Sequence, residues 1–177
     1  MLLHHRFIEV AKKLGSKLFL DDRSTGRALT YQRGLIATLI LSEKFKKYDE
    51  GFLGIMLPTS AGAALSVLAA LMSGRVPVMI NYSTGAPQNC EFAQKRCDFT
   101  TIITARVLLE KIQCPIVPGM VFIEDILAGV SGFEKIKAAL RSKIPAGMLQ
   151  RQCGPANEHD TASVLFTSGS VKDPMAV

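Results

Sequence analysis

Short apolar runs alternate along the chain with longer stretches in which apolar residues recur every three or four positions. The runs have the length of buried strands, and the longer stretches have the periodicity of amphipathic helices. The pattern predicts helices over residues 5–16, 31–47, 60–73, 86–97, 105–112 and 132–144. It predicts strands over residues 52–57, 76–81, 99–104, 120–125 and 162–166, preceded by two short extended segments within residues 17–22 and 24–31.

The predicted strands are continuous apolar runs and do not alternate with polar residues. Strands of this kind are buried on both faces, as in a parallel sheet that is covered by helices. The order of elements therefore predicts an α/β fold with a mostly parallel sheet and helices on both faces, in three layers. Ligands of such folds bind beyond the carboxyl ends of the strands. We expect the turns after strands 52–57 and 76–81, and the residues after 162–166, to lie at that edge.

One uncharged stretch, residues 51–74, is long enough to cross a bilayer. Pro58 interrupts it, the polar pair Thr59–Ser60 follows, and the two halves differ in character. A strand, a turn and a buried helix explain these residues, whereas a single membrane span leaves the proline and the hydroxyl groups unexplained. We therefore predict that this chain has no transmembrane segment.

Composition and charge narrow the range of functions. The 177 residues are 48% hydrophobic and 20% charged, which is typical of a globular domain. Trp is absent and aromatic residues make up 7%, which argues against a stacking surface for nucleic acid. The formal net charge is +6, and the densest basic groups lie at residues 43–47 and 134–143. Each group is either a solvated helix face or a docking patch for an acidic partner.

The cysteines and histidines show none of the spacings typical of a metal site, and we predict no metal ligand in this chain. Unclustered cysteines without a secretory signal fit reduced thiols in the cytoplasm. We interpret them as core or surface thiols, and we predict no catalytic residue in the chain. The residues concerned are Cys90, Cys97, Cys114, Cys153, His4, His5 and His159.

The chain closes on the sequence SVLFTSGSVKDPMAV, in which a hydroxyl-rich loop follows a strand. Hydroxyl groups and successive backbone N–H groups suit an anion, glycine permits close approach, and a lysine adds positive charge. The Walker pattern GxxxxGK[ST] cannot be fitted here, and hydroxyl residues with glycine also form ordinary turns. The candidate phosphate-binding residues are Thr167, Ser168, Gly169, Ser170 and Lys172.

The context of this loop resembles the adenylate-forming (AMP-binding, acyl-coenzyme A synthetase-like) superfamily. Its signature TSG[ST]TGxPKG follows a strand, as TSGS follows SVLF here. Pro58 and Asn81 stand where the family has its LPN and PLNP sequences. Other stretches that resemble family elements, in the family's order, are ALTYQRGL, the segment from Gly51 to Pro87, CDFTTIITA and DTASVLFTSGS.

Within the superfamily, the sequence resembles the acyl-acyl carrier protein synthetase branch, which is often fused to a 2-acylglycerophosphoethanolamine acyltransferase. The stretches that carry this resemblance are GRVPVMINYSTGA, ITARVLLEKI, VFIEDI and FTSGSVKDP. It implies an ATP-dependent, AMP-forming ligase that activates a fatty acid and transfers it to the thiol of acyl carrier protein. Coenzyme A is an alternative acceptor, and a non-catalytic binding module is an alternative class. We expect a cytoplasmic protein, at the inner face of the membrane if the chain is fused to an acyltransferase.

The resemblance implies that residues 1–177 form the N-terminal subdomain of an adenylation domain, in which the polar connector 145–160 leads to the strand before the loop. The remainder of the enzyme would supply the Mg²⁺ ligand and the adenine contacts, so we expect the fragment alone to be inactive. The resemblance assigns the ATP phosphates to the candidate loop. Met175 replaces the usual lysine, so either Lys172 substitutes for that lysine or phosphate binding is impaired. Val171, Lys172 and Ala176 also depart from the signature.

Overall fold

A computed structural model of the chain describes residues 1–23, 26–48 and 50–166. Its strands are β1 (Leu18–Asp22), β2 (Arg27–Thr30), β3 (Phe52–Met56), β4 (Val76–Met79), β5 (Ile102–Thr104), β6 (Met120–Phe122) and β7 (Val164–Leu165). Its helices are α1 (Leu3–Leu14), α2 (Tyr31–Phe45), α3 (Ala61–Met72), α4 (Ala86–Cys97), α5 (Arg106–Ile112), α6 (Ile123–Ala128), α7 (Gly132–Arg141) and α8 (Ala146–Gln150).

Five strands form one sheet in the order β6-β5-β3-β4-β7, and every neighbouring pair is parallel. The first two strands, β1 and β2, form a separate antiparallel hairpin. The central strand β3 is buried on both faces, with Leu53 and Met56 both fully excluded from solvent. These observations confirm the mostly parallel sheet that the apolar runs predict.

Helices cover both faces of the sheet. On one face, α4 and α5 pack against Val78 and Ile102, and on the other face α2 and α3 pack against Ile55 and Ile103. A third apolar cluster joins α1, α7 and α8 to the outer side of α2 and α3. The predicted layers are therefore present, and this outer group of helices extends one of them.

The uncharged stretch 51–74 forms β3, a turn and α3, as predicted. The Ser60 hydroxyl accepts a hydrogen bond from the Ala63 N–H (3.3 Å) and so caps the start of α3. Within the described ranges, no helix combines the length and the apolar character that a membrane crossing requires.

Several predicted elements are shorter in the structure, such as the strand predicted over 99–104, which begins at Ile102. Two segments also differ in the type of element. The strand predicted over 120–125 ends at Phe122, and the residues that follow it form α6 because Glu124 and Asp125 place negative charge in the first helical turn. The connector predicted over 145–160 contains the helix α8, whose Leu149 is buried in the third cluster. In the order of elements, β7 follows α8.

Candidate functional site

The closing strand β7 pairs with β4 in parallel register, with Val164 opposite Val78 and Leu165 opposite Met79. Phe166 continues in the same direction, and its ring contacts the ring of Phe92 in α4 at 5.5 Å between centroids. The chain therefore leaves the sheet at its carboxyl edge, beside the end of β4. The candidate phosphate residues Thr167, Ser168, Gly169, Ser170 and Lys172 lie outside the described residues, and their roles remain predictions.

The loop after β4 lies at this edge and is held by amide side chains. The Asn81 side-chain oxygen accepts a hydrogen bond from the Ser83 N–H at 2.9 Å. The Asn89 side-chain amide donates to the carbonyls of Asn81 and Thr84, at 2.8 Å each. A cleft of about 360 Å³ adjoins the loop, and its lining includes Tyr82, Gly85, Pro87, Gln113 and Cys114. The sequence predicts that the turn after residues 76–81 lies at this edge. It gives no signal for the role of Asn89, because the partners of Asn89 are visible only in the folded chain.

The loop after β3 lies at the same edge and begins α3. Besides the Ser60 cap, the carboxylate of Asp22 accepts a hydrogen bond from the Ala61 N–H at 2.9 Å. Asp22 is buried at the end of β1, and it places negative charge at the positive end of the α3 dipole. This contact ties the hairpin to the carboxyl edge. The sequence gives no signal for this contact, because Asp22 is simply the last residue of a short predicted strand.

Charged residues organise the ends of β5 and β6. The Arg106 guanidinium donates two hydrogen bonds to the Asp125 carboxylate, at 2.9 and 2.6 Å, and lies 4.2 Å from the centroid of the Phe122 ring. The hydrogen bond from Arg106 holds the pKa of Asp125 below its usual value. Two buried oxygens at this end, Thr104 Oγ1 and Glu124 Oε2, have no hydrogen-bond partner in the described part of the chain. The edge is therefore polar across four strands.

The four thiols are free, and their environments suppress nucleophilic character. Burial raises the pKa of Cys90 to about 12 and that of Cys153 to about 11. Burial also raises the pKa values of Cys97 and Cys114. Because the thiolate is the reactive form, these thiols are protonated and weakly reactive at neutral pH. This fits the interpretation of the cysteines as core or surface thiols.

His4, His5 and Cys153 bring their potential ligand atoms within 4.8 Å of one another, a grouping that their sequence spacing did not predict. Burial lowers the pKa of His4 to about 4. Cys153 precedes Gly154, whose N–H donates to the carbonyl of Met72 at the end of α3. This group therefore lies toward the amino edge of the sheet, and we assign it no part in the site at the carboxyl edge.

Comparison with known proteins agrees with this architecture. The family model of the AMP-binding enzyme matches residues 8–174. The crystal structure of VinN superimposes with a TM-score of 0.74 at 19% identity, over 100% of this chain and 43% of that one. The N-terminal subdomain of Klebsiella oxytoca NpsA gives a TM-score of 0.68 at 16% identity, over 99% of this chain and 41% of that one. The inhibitor-bound N-terminal domain of FACL13 from Mycobacterium tuberculosis gives a TM-score of 0.67 at 16% identity, over 100% of this chain and 44% of that one.

The parallel sheet and its covering helices are those of the N-terminal subdomain of adenylate-forming enzymes. The chain belongs to the AMP-binding enzyme family, whose members in general use ATP and Mg²⁺. It spans less than half the length of these three solved proteins. The superfamily resemblance noted in the sequence is thereby confirmed.

Proposed function

We propose that the chain is the N-terminal part of an ATP-dependent, AMP-forming ligase that activates a fatty acid and transfers it to the thiol of acyl carrier protein. The observation that carries the proposal is the position of β7, which runs parallel to β4 and ends one residue before the sequence TSGS. A hydroxyl-rich, glycine-containing loop at the carboxyl edge of a parallel sheet is well suited to phosphate binding.

The proposed chemistry needs no nucleophile or general base from this chain. The fatty acid carboxylate attacks the α-phosphorus of ATP, a new P–O bond forms, and pyrophosphate leaves. The thiol of the carrier then attacks the acyl carbonyl carbon, and AMP leaves. We assign the phosphate groups to Thr167, Ser168, Gly169, Ser170 and Lys172, and the Mg²⁺ ligands to residues outside this chain. The contribution of the loop is positioning and stabilisation of negative charge.

The choice of substrate and acceptor is supported by the resemblance of residues 74–86, 103–112 and 121–126 to the acyl-acyl carrier protein synthetase branch. A fatty acyl-coenzyme A synthetase would use the same first step and differ in the thiol. A binding module with a degenerate loop would perform neither step, and Met175 and Ala176 are the residues that favour that alternative.

The test uses the gene product that contains this chain, incubated with ATP, Mg²⁺, a fatty acid and either acyl carrier protein or coenzyme A. Mass spectrometry of both thiols should show the acyl group on the carrier protein and pyrophosphate release that requires the fatty acid. Residues 1–177 alone should release none. Ser168→Ala should slow the release, whereas Ser16→Ala, an exposed hydroxyl after α1, should leave it unchanged.

Two other results would favour the alternative functions, the coenzyme A ligase and the binding module. If only coenzyme A were acylated, the proposed ligase activity would stand and coenzyme A would take the place of acyl carrier protein as the acceptor. The absence of fatty-acid-dependent pyrophosphate release with either thiol would contradict the ligase and favour the binding module.

A further inference from the structure

The two basic stretches of the sequence form one surface, although they are far apart along the chain. The Nζ of Lys44 near the end of α2 lies 2.6 Å from Oε1 of Glu134 in α7, and the Arg141 guanidinium donates to Glu43 at 2.9 Å. Residues 43–47 and 134–143 together carry seven lysine and arginine side chains and two carboxylates. This surface therefore holds five of the six net positive charges of the chain.

Both carboxylates of the surface are already engaged. Glu43 pairs with Lys46 as well as Arg141, and Glu134 also accepts hydrogen bonds from the backbone and side chain of Ser131. Four exposed lysines are left without a carboxylate partner in the described ranges 1–23, 26–48 and 50–166. These are Lys47, Lys135, Lys137 and Lys143. The surface can therefore accept negative charge from outside the chain.

An apolar stripe runs along the outer side of α7. Phe133, Ile136 and Leu140 are 76%, 61% and 67% exposed and recur at the spacing of one helix face. Ala138 is the buried residue of α7 and packs with the third apolar cluster. The helix is thus amphipathic, with its larger apolar side chains facing solvent instead of the core.

The inner contacts of α7 fix this orientation. Ser131 and Glu134 form a capping box at its start, and the Lys12 ammonium donates to the carbonyls of Ser142 and Ile144 after its end. Arg141 is directed at Glu43 of α2. Lys44 of α2 holds the start of α7 through Glu134. Because Lys12 and Arg141 hold its end, the stripe presents a rigid surface.

We propose that α7 docks the molecule on an anionic lipid surface, with the stripe entering the interface and the surrounding lysines contacting lipid phosphates. A helix with an aromatic and aliphatic face flanked by lysines is typical of segments that lie in the membrane interface. The cores of protein–protein interfaces favour arginine and are poor in lysine. Here the unpaired cations are lysines and the arginine is turned inward, so a lipid surface fits better than an acidic protein.

Docking through α7 leaves the carboxyl edge of the sheet accessible. The end of α2 that contacts α7 is followed by Tyr48, whose carbonyl accepts a hydrogen bond from Arg75 at 2.9 Å. Arg75 directly precedes β4, at the amino edge of the sheet. The inference does not rest on the ligase proposal, since it concerns a surface away from the candidate phosphate loop.

The experiment measures sedimentation of the purified protein with vesicles of phosphatidylcholine alone or of equal parts phosphatidylcholine and phosphatidylglycerol. The protein should partition into the mixed vesicles and remain in solution with the neutral ones. Binding should weaken as salt rises from about 0.1 M to 1 M, because the Debye length falls from about 10 Å to 3 Å.

Two variants separate the lysines from the stripe. Lys137→Gln with Lys143→Gln should weaken partitioning about fivefold for each lysine removed. Phe133→Gln, Ile136→Gln and Leu140→Gln together should weaken it at least tenfold, because each side chain loses apolar burial. Thermal unfolding of these variants should stay near wild type, since the substituted side chains are exposed.

The matched controls lie elsewhere on the molecule. Val107 and Ile116 are 71% and 69% exposed, and Lys95 and Lys111 are exposed cations. Replacing Val107 and Ile116 with glutamine, or Lys95 and Lys111 with glutamine, should leave partitioning into the mixed vesicles unchanged.

Three results would overturn the proposal. One is the absence of binding to the mixed vesicles. If an acidic carrier protein bound the same lysines in that case, the surface would be assigned to a protein partner. Another is equal binding to both vesicle types that is unaffected by the lysine variant. The third is a concentration-dependent dimer, measured by sedimentation velocity, that disappears in the stripe variant, which would assign the stripe to a second copy of the chain.

Discussion

The contact between Gly154 and Gly74 holds the segment that leads to β7 against the rest of the sheet, and an alanine at residue 154 should disrupt it. A Cβ atom added to Gly154 would lie 2.3 Å from the Cα and 2.4 Å from the N of Gly74. Non-bonded carbon atoms prefer a separation of about 3.5–4.0 Å. Because the opposing atoms belong to the backbone, relief requires the two segments to move apart by roughly 1 Å or more.

That movement also weakens the hydrogen bond that the Gly154 N–H donates to the Met72 carbonyl at 2.9 Å. Overpacking costs about 1–3 kcal/mol, and a net hydrogen bond contributes about 1 kcal/mol. We therefore expect Gly154→Ala to lower the free energy of unfolding by about 2–4 kcal/mol. Gly147→Ala is the matched control, because no atom lies within 4 Å of its added Cβ in α8.

The assay is unfolding in urea at neutral pH, followed by circular dichroism, for the wild type and the two variants. Gly154→Ala should shift the midpoint downward at an unchanged slope, while Gly147→Ala should match or slightly exceed the wild type. If Gly154→Ala stayed within about 0.5 kcal/mol of the wild type, the reasoning from close backbone packing would be refuted.

Two further predictions concern the sheet and α7. Gly54→Val should lower the free energy of unfolding by about 1–3 kcal/mol. The reason is that a Cβ atom at this position would lie 2.8 Å from the side chain of Phe99 and 2.9 Å from that of Ile102. A urea midpoint equal to that of the wild type would contradict this prediction. Hydrogen bonds from Lys44 and Ser131 lower the pKa of Glu134 from 4.5 to about 2. The stabilisation that these hydrogen bonds give is complete above the ordinary pKa of 4.5 and is lost as the pH falls through the lowered pKa of about 2. The difference in urea midpoint between wild type and Glu134→Gln should therefore shrink between these two values, and a constant difference would disagree with the assignment.

The sheet could be predicted from the sequence because its signals are local. The apolar run of β3 and the alanine- and leucine-rich pattern of α3 each identify an element without reference to the rest of the chain. The start of α6 has one local signal, the acidic pair Glu124 and Asp125, but the apolar run 120–123 before this pair continues the strand pattern. The contacts of this pair with Arg106 on another element are visible only in the folded chain. The helix α8 is too short for a periodic pattern.

The candidate site was only partly predictable for the same reason. The order of residues in SVLFTSGS places a hydroxyl-rich loop after a strand, and the parallel pairing of β7 with β4 fits that order. The contacts of Asp22 and Asn89 depend on tertiary structure and leave no sequence pattern. The sequence of α7 predicts an amphipathic helix, but the outward direction of its apolar side is set by Ala138 and by the ties at both helix ends.

The most direct test of the central claim, that the residues after β7 hold the phosphates of ATP, is fatty-acid-dependent exchange of pyrophosphate into ATP by the gene product that contains this chain. A charge-assisted hydrogen bond contributes about 1.5–3 kcal/mol, which corresponds to about ten- to a hundredfold in rate. Lys172→Ala should therefore slow the exchange by that factor, and adding Met175→Lys should recover much of the loss. Wild-type exchange by Lys172→Ala would contradict the role of this lysine, and absence of exchange by the wild type would contradict the central claim itself.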